Sequence, residues 1–94
     1  MAVYLVTWNL NKEGSNYSKA RTAFMLRLSA YDHIIDPGLE TVAFVSSSST
    51  AQQISDYLQG AIDLTDRLVV SRMRDSEYQG ILDPDCWAWI NARV

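Results

Sequence analysis

Residues 2–18, AVYLVTWNLNKEGSNYS, decide the fold that this sequence predicts. Residues 2–8 carry apolar side chains at both odd and even positions, so a strand here is apolar on both faces, as is typical inside a sheet. Asn9 then marks the carboxyl end of the strand. Residues 10–16 have the polar and glycine content of a surface loop, and Ser18 is placed to cap a following helix. Any chemistry of the domain is expected at this strand-to-loop junction.

The composition bounds the class of protein. The chain has 94 residues, and 48% of them are apolar, which suffices for one hydrophobic core. A chain of this length is too short to form two domains. A formal net charge of −3 argues against a nucleic-acid-binding surface that covers the domain, because such binding depends on Lys and Arg neutralising phosphates. Only a local basic patch would allow it. We therefore predict a single domain over residues 1–94.

The cysteine and histidine counts point to a reducing compartment. Cys86 is the only cysteine, which excludes an internal disulfide, and with the single histidine His33 it cannot form a structural zinc site. No apolar run reaches membrane-spanning length, and the first residues lack the basic segment and cleavage site of a signal peptide. We expect a cytoplasmic protein that does not enter a membrane.

Three helices are predicted from apolar spacing and capping residues. The first begins at Ser18, the second is capped by Ser49 or Thr50, and the third begins with Asp83 as N-cap and Pro84 at its first position. The expected buried stripes are Ala20, Ala23, Phe24, Leu28 and Tyr31 in the first helix, Ala51, Ile54, Leu58, Ala61 and Ile62 in the second, and Trp87, Ile90 and Val94 in the third.

Three further strands are predicted between these helices. Residues 32–36 form a short strand, Pro37-Gly38 a turn, and residues 40–46 the second arm of a hairpin. Residues 67–73, RLVVSRM, form a buried strand around a continuous apolar centre. Residues 74–80 are either a loop or a short edge strand.

The resulting order, β-α-β-β-α-β, predicts an α+β, ferredoxin-like fold: a four-stranded antiparallel sheet with two helices on one face. Residues 74–94 form a C-terminal extension, an edge segment and a short helix, and are expected as an appendage. The second face of the sheet is left to be exposed, covered by this extension or paired with another subunit. We expect extension and partner to cover it together, and therefore a homodimer.

Four short motifs resemble one family. Residues 4–18, YLVTWNLNKEGSNYS, resemble the opening "YLISYDLNKPGxDYS" of small bacterial SinR-like proteins, relatives of CRISPR-associated protein two. Residues 50–58 resemble their "TAxQIRDxL", residues 62–70 their "LDxNDxLxV", and residues 78–80 their "WxG". The likeness spans nearly the whole chain except residues 26–40, and it implies a ferredoxin-like homodimer.

The resemblance also directs attention to Asn9. In the CRISPR-associated relatives an Asp at the end of the first strand, close to its dimer mate, is proposed to hold a divalent metal for phosphodiester cleavage; here that position is Asn9. Asn offers a neutral carbonyl, whereas Mg²⁺ or Mn²⁺ is usually held by one or two carboxylates. Asn9 is thus the candidate catalytic or metal residue, and the alternative is a side chain that satisfies loop backbone groups at a strand end.

Other residues with reactive side chains can also be interpreted as purely structural. His33 has the pKa range of a general base, and Cys86 that of a nucleophile, but neither has an evident partner, which favours structural roles. Ser46 to Ser49 precede a helix and could hold phosphate, although a strand end with a cap is the simpler interpretation. No P-loop or dinucleotide glycine motif is present.

A local nucleic-acid-binding patch is the last candidate site. Its members would be the basic residues around the fourth strand and near the first helix: Lys12, Lys19, Arg67, Arg72 and Arg74. The alternative is a solvated charge set balanced by Asp66, Asp75 and Glu77.

Two functional hypotheses follow, and a third has less support. The first is a dimeric module of the CRISPR-protein-two-like superfamily without cofactors, acting through self-association and through nucleic-acid or protein binding. The second is a Mg²⁺- or Mn²⁺-dependent endonuclease or toxin-like ribonuclease resembling virulence-associated protein D, with Asp36, Asp63 or Asp66 converging on Asn9. The third, a small-ligand sensor, has no recognisable binding motif.

Overall fold

The computed structural model describes all residues from Met1 to Val94. Its elements in chain order are β1 (Ala2–Asn9), α1 (Gly14–Leu28), β2 (Asp32–Ile34), β3 (Val42–Ser47), α2 (Ala51–Gln59), β4 (Arg67–Met73) and α3 (Pro84–Asn91). The strands form one antiparallel sheet in the order β2-β3-β1-β4. The predicted α+β class and four-stranded antiparallel sheet are confirmed.

β1 is central because it pairs with β3 on one side and with β4 on the other. Since β3 lies antiparallel between β1 and β2, the strands β1 and β2 run parallel, and so do β3 and β4. Each parallel pair is connected through one helix, α1 or α2. β2 and β3 form the predicted hairpin, whose turn is closed by the Leu39 amide donating to the Asp36 carbonyl.

The larger core lies between one face of the sheet and the helices α1 and α2. Even-numbered side chains of β1 point into it, and Trp8 packs on Phe24 of α1 with ring centroids 4.6 Å apart. The indole Nε1 of Trp8 is buried without a hydrogen-bond partner, so packing alone holds this ring. The buried members are Tyr4, Val6, Trp8, Leu10, Phe24, Leu28, Ala43, Val45, Ile54 and Leu58.

The second face of the sheet carries a smaller core that α3 completes. Val3 of β1 and Phe44 of β3 pack with Cys86 and Ile90 of α3, and the Ile90 side chain is fully buried. The expectation that the C-terminal extension helps to cover this face is confirmed, and because its helix completes a core, the extension is more than the predicted appendage. This face is covered largely from within the chain, although Val69 of β4 stays 58% exposed.

α3 begins as predicted, with Asp83 as N-cap and Pro84 in the first turn. The Asp83 carboxylate accepts from the Asp85 amide at 2.9 Å. The predicted face of the helix is partly wrong, because Cys86 and Ile90 are its buried residues while Val94 lies beyond its end and is exposed.

α1 begins at Gly14, four residues before the predicted Ser18. The amides of Asn16 and Tyr17 both donate to the Glu13 carbonyl, which closes the first turn early. Gly14 has φ +55°, a value that glycine adopts without strain. The first turn of α1 is exposed and therefore consists of polar residues. Its composition is that of a loop, which is why the helix start was predicted too late.

Other element ends also differ from the prediction. β2 stops at Ile34 because Asp36 turns the chain, its carboxylate accepting from the Gly38 amide at 2.8 Å. β3 begins two residues later than predicted and extends to Ser47.

The helix α2 has the predicted cap, a Thr50–Gln53 capping box. It ends at Gln59, before Ala61 and Ile62, which were expected on its buried stripe. Two positions predicted on the buried stripe of the first helix also differ: Ala23 is exposed, and Tyr31 follows the helix end. Residues 74–80 form a loop.

None of the three helices has both the length and the apolar character needed to cross a membrane.

Candidate functional site

Asn9 lies where the sequence places it, at the carboxyl end of β1, directly opposite Arg67 of β4. Its side chain is exposed and forms no hydrogen bond within the chain. The hairpin turn of residues 35–41 lies at this end of the sheet, and so do two loops: residues 10–13 after β1 and residues 60–66 before β4. They join through side chains other than Asn9.

Asp66 is the centre of that junction. Its side chain is only 1% exposed. Oδ1 accepts from the Asn11 amide at 2.7 Å and from Lys12 Nζ at 2.9 Å, and Oδ2 accepts from the Asp63 amide at 3.0 Å. Three donors therefore satisfy a buried carboxylate that would otherwise be costly.

Asp63 forms the outer half of the junction. Its Oδ1 accepts from the Thr65 hydroxyl at 2.6 Å and from the Thr65 amide at 2.8 Å, while Oδ2 lies 3.1 Å from Lys12 Nζ. The Thr65 hydrogen bonds and then Lys12 lower the Asp63 pKa from 3.8 to about 2. We call Lys12, Asp63, Thr65 and Asp66 the loop latch.

The charges of the latch stabilise one another. Hydrogen bonding to Asp66 raises the pKa of Lys12 above its ordinary 10.5, although partial burial opposes the shift. Burial raises the pKa of Asp66, but the Lys12 ammonium and the Asp63 and Asn11 amides outweigh it, so this pKa is lowered. All three groups are ionised at neutral pH, and the latch has no proton to give or take there.

A divalent metal does not fit the donor set at this end of the sheet. Asp66 has its lone pairs directed at three N–H donors, and Asp63 is bound to Thr65 and Lys12. No three of the Asp, Glu, His and Cys side chains group in a way that would hold a metal ion. Asn9 would contribute one neutral oxygen, which is too little for a hard cation.

Asp36, the other carboxylate considered for the site, has a structural task in the β2–β3 hairpin turn. It is 7% exposed, and its Oδ2 accepts from the Asp83 amide at 2.6 Å. Together with its bond to Gly38, this contact fixes the hairpin turn to the start of α3. Asp36, like Asp63 and Asp66, is therefore engaged within the fold and is not free to act with Asn9.

The candidate basic patch is dispersed. Lys12 is held by two aspartates, and Lys19 is exposed on α1. Arg67 and Arg72 lie on opposite faces of β4, about 17 Å apart along the strand at ~3.3 Å per residue. None of the three predicted arginines, Arg67, Arg72 and Arg74, forms a salt bridge; the Arg67 guanidinium donates to the carbonyls of residues 64 and 66.

The remaining candidates are structural in this fold. Nδ1 of His33 lies 2.9 Å from the Tyr31 carbonyl oxygen. Cys86 is buried under the second core, and its burial raises the thiol pKa, so it has no thiolate character at neutral pH. The serine run ends in the α2 capping box, whose Thr50 hydroxyl already accepts from the Gln53 amide.

A cleft of about 540 Å³ lies beside the latch and the start of β4. It is lined by Gln59, Ile62, Asp63, Leu64, Asp66, Arg67 and Leu68. Its acidic groups are those that the latch neutralises. Leu64, which is 98% exposed, stands at its rim.

Sequence reasoning missed the latch. Lys12 was a candidate phosphate contact and Asp66 a counter-charge for β4, whereas the two pair with each other across 54 residues of sequence. No pattern of neighbouring residues in the sequence predicts such a pair. Only the fold, which places the loops after β1 and before β4 side by side, shows it.

Comparison of the chain with protein-family models, with curated proteins and with solved structures finds no match. The resemblance to the SinR-like proteins accordingly stays a prediction carried by its four motifs.

Proposed function

We propose that this chain is a ferredoxin-like module of the CRISPR-protein-two-like superfamily that works by self-association, as a homodimer, and not by metal-dependent catalysis. The two interleaved β–α–β units and the packing of α1 and α2 on one face support the fold assignment. The four SinR-like motifs support the superfamily assignment. The free thiol of Cys86 supports a reducing, cytoplasmic location.

One observation carries the self-association: the two edges of the sheet differ. β2, at one edge, has three residues, and its first residue, Asp32, is bound by Arg93 at 2.9 Å. β4, at the other, has seven residues in unbroken register with β1. It contains no Pro, Lys or bulge, and Arg67 and Arg72 are its only residues of the kind that protects natural edge strands. A long open edge of this kind is suited to pairing with another chain.

The sequence led us to expect a dimer because the second face of the sheet would otherwise expose apolar side chains to water. This reason applies only in part, since α3 covers most of that face. What is left uncovered adjoins β4, where Val69 is exposed. Both features therefore favour the β4 side of the domain as the associating side.

The occupied donor set at the end of β1 argues against the nuclease alternative, because neither Asp63 nor Asp66 is free to ligate a metal beside Asn9. The dispersed arginines and the net charge of −3 argue against nucleic acid as the principal partner.

Light scattering and sedimentation at micromolar concentration test the proposal. We expect twice the chain mass of 10.6 kDa. A monomer would contradict it. In parallel, RNA and DNA are incubated with the protein and Mg²⁺ or Mn²⁺, and we expect no cleavage. Cleavage that survives repurification and disappears in Asn9→Ala would establish the nuclease instead.

A further inference from the structure

We infer that two copies of this chain associate edge to edge through β4, antiparallel about a twofold axis that passes between the two Ser71 residues. The result is a continuous eight-stranded sheet. This inference rests on the proposed self-association and adds to it the surface and the register.

The geometry of a sheet limits the possible registers. A twofold axis perpendicular to the sheet makes neighbouring strands antiparallel and keeps α1 and α2 of both copies on the same side. Directly opposite residues must share a face, and side chains alternate between faces along a strand. Consequently Arg67 never lies opposite Arg72, because these two residues are on opposite faces of β4. The axis must pass through one residue position.

Two of the three central positions fit poorly. With Val69 on the axis, Arg72 lies opposite Asp66, whose carboxylate is buried and already accepts from three donors. With Val70 on the axis, Arg67 lies opposite Met73 and Arg72 lies opposite Leu68, so neither arginine meets a carboxylate. Neither register gives an arginine a carboxylate that is free to pair with it.

The third position, Ser71, pairs two apolar residues and brings opposite charges together on one face of the sheet. It places exposed Val69 opposite Met73, which is half-buried against the second core, on the sheet face that carries α3. It also brings Arg67 of one copy towards Asp75 of the other. Asp75 is exposed, follows the strand in the turn closed by the Glu77 amide and the Arg74 carbonyl, and has no salt bridge within the chain. The twofold axis forms each of these contacts twice.

The opposite face of the same register is compatible. Val70 lies opposite Arg72, whose aliphatic stem can cover an apolar neighbour while the guanidinium stays in water. No like charges within β4 are opposed. Charge complementarity and apolar matching therefore favour a second copy over an unrelated strand.

Disulfide trapping tests the register. Ser71 is exposed, and in the inferred dimer its two copies face each other at the ~4.5–5.5 Å separation of cross-strand partners, which suits a disulfide. We expect Ser71→Cys to form a covalent dimer under mild oxidation, seen on a non-reducing gel. The native Cys86 does not interfere because it is buried.

Val69→Cys is the matched control, since this residue is also an exposed β4 position. In the inferred register its two copies are four residues apart along the paired strands, about 13 Å, so we expect no cross-link. A cross-link through Val69→Cys with none through Ser71→Cys would overturn the register. So would a wild-type dimer in which neither variant cross-links.

A charge exchange provides an independent test. Arg67→Asp and Asp75→Arg should each weaken dimerisation about tenfold, one such step corresponding to 1.4 kcal/mol, and the double variant should restore it. Sedimentation measures the dimer affinity, and circular dichroism confirms folding. Loss without restoration overturns the register but leaves self-association standing, whereas a monomeric wild type overturns both.

Discussion

The Nζ atom of Lys12 lies 2.9 Å from Oδ1 of Asp66, and this contact ties the loop after β1 to the loop before β4. The two strands are neighbours, so the contact closes their shared end of the sheet. The buried carboxylate keeps its charge because two backbone amides and one ammonium group surround it. The residues that a metal would need are thereby used to hold the fold.

Asp66→Ala should destabilise the protein by about 1–3 kcal/mol, the usual cost of leaving buried polar partners unpaired. The substitution removes the acceptor of the Asn11 and Asp63 amides and of Lys12. Urea denaturation measures the change. Glu40→Ala, at an exposed position, is the control and should lie within about 0.5 kcal/mol of wild type. Equal stability of both variants would mean that the latch contributes nothing.

The latch should weaken in acid. Folding lowers the Asp63 pKa from 3.8 to about 2. The ionised carboxylate therefore stabilises the folded state above pH 3.8, and this contribution is lost as the pH falls to about 2. Melting curves of wild type and Asp63→Asn should differ at neutral pH and converge across this interval. A difference that persists unchanged at pH 2 would show that Asp63 acts through something other than its charge.

Lys12 sets the corresponding alkaline limit. Its folded-state pKa lies above 10.5, so the stability gained from its charge is present below that pH and is lost as the pH rises through the raised value. We expect Lys12→Met to remove the alkaline part of the wild-type stability profile. Denaturation midpoints measured between neutral and strongly alkaline pH provide the comparison. An identical profile in the variant would assign the alkaline loss to other groups.

Ile90→Ala should cost about 2–5 kcal/mol, because the side chain is fully buried between α3 and the sheet. Ile81→Ala removes an isoleucine that is 99% exposed and should leave stability within about 0.5 kcal/mol of wild type. Thermal or urea unfolding compares the two. If Ile90→Ala were as harmless as its control, α3 would not be part of the cooperative core.

Asn9→Ala should leave the free energy of unfolding within about 1 kcal/mol of wild type. The side chain is exposed and forms no hydrogen bond within the chain. Asn9→Asp should add little divalent-metal affinity, since Asp63 and Asp66 are already engaged, and Mg²⁺ or Mn²⁺ should not raise its melting temperature. A metal-dependent rise in Asn9→Asp would show that the latch opens to a cation.

Short-range signals in the sequence predicted the elements that they determine. The bounds of β4 follow from its apolar centre, the α2 cap from Thr50 and Gln53, and the start of α3 from Asp83 and Pro84. Each signal lies within a few residues of the feature that it predicts, and local hydrogen bonding or strand propensity is sufficient to produce it.

Features that depend on distant contacts were not predictable in the same way. The Lys12–Asp66 pair, the bond from the Asp83 amide to Asp36 and the burial of Cys86 all join segments far apart in sequence. The early start of α1 was missed for another reason, since a polar, exposed first turn has the composition of a loop. The candidate site could be located at the end of β1, but the occupation of its carboxylates could not.

The place of α3 at the end of the element order has a consequence for synthesis on the ribosome. All four strands lie within the first 73 residues, whereas Cys86 and Ile90, which cover Val3 and Phe44, follow later. A nascent chain thus passes through a stage at which the sheet can form while one of its faces is still bare and the β4 edge is open. Until α3 docks, Val3 and Phe44 are bare, so the domain is most prone to aggregate at this stage.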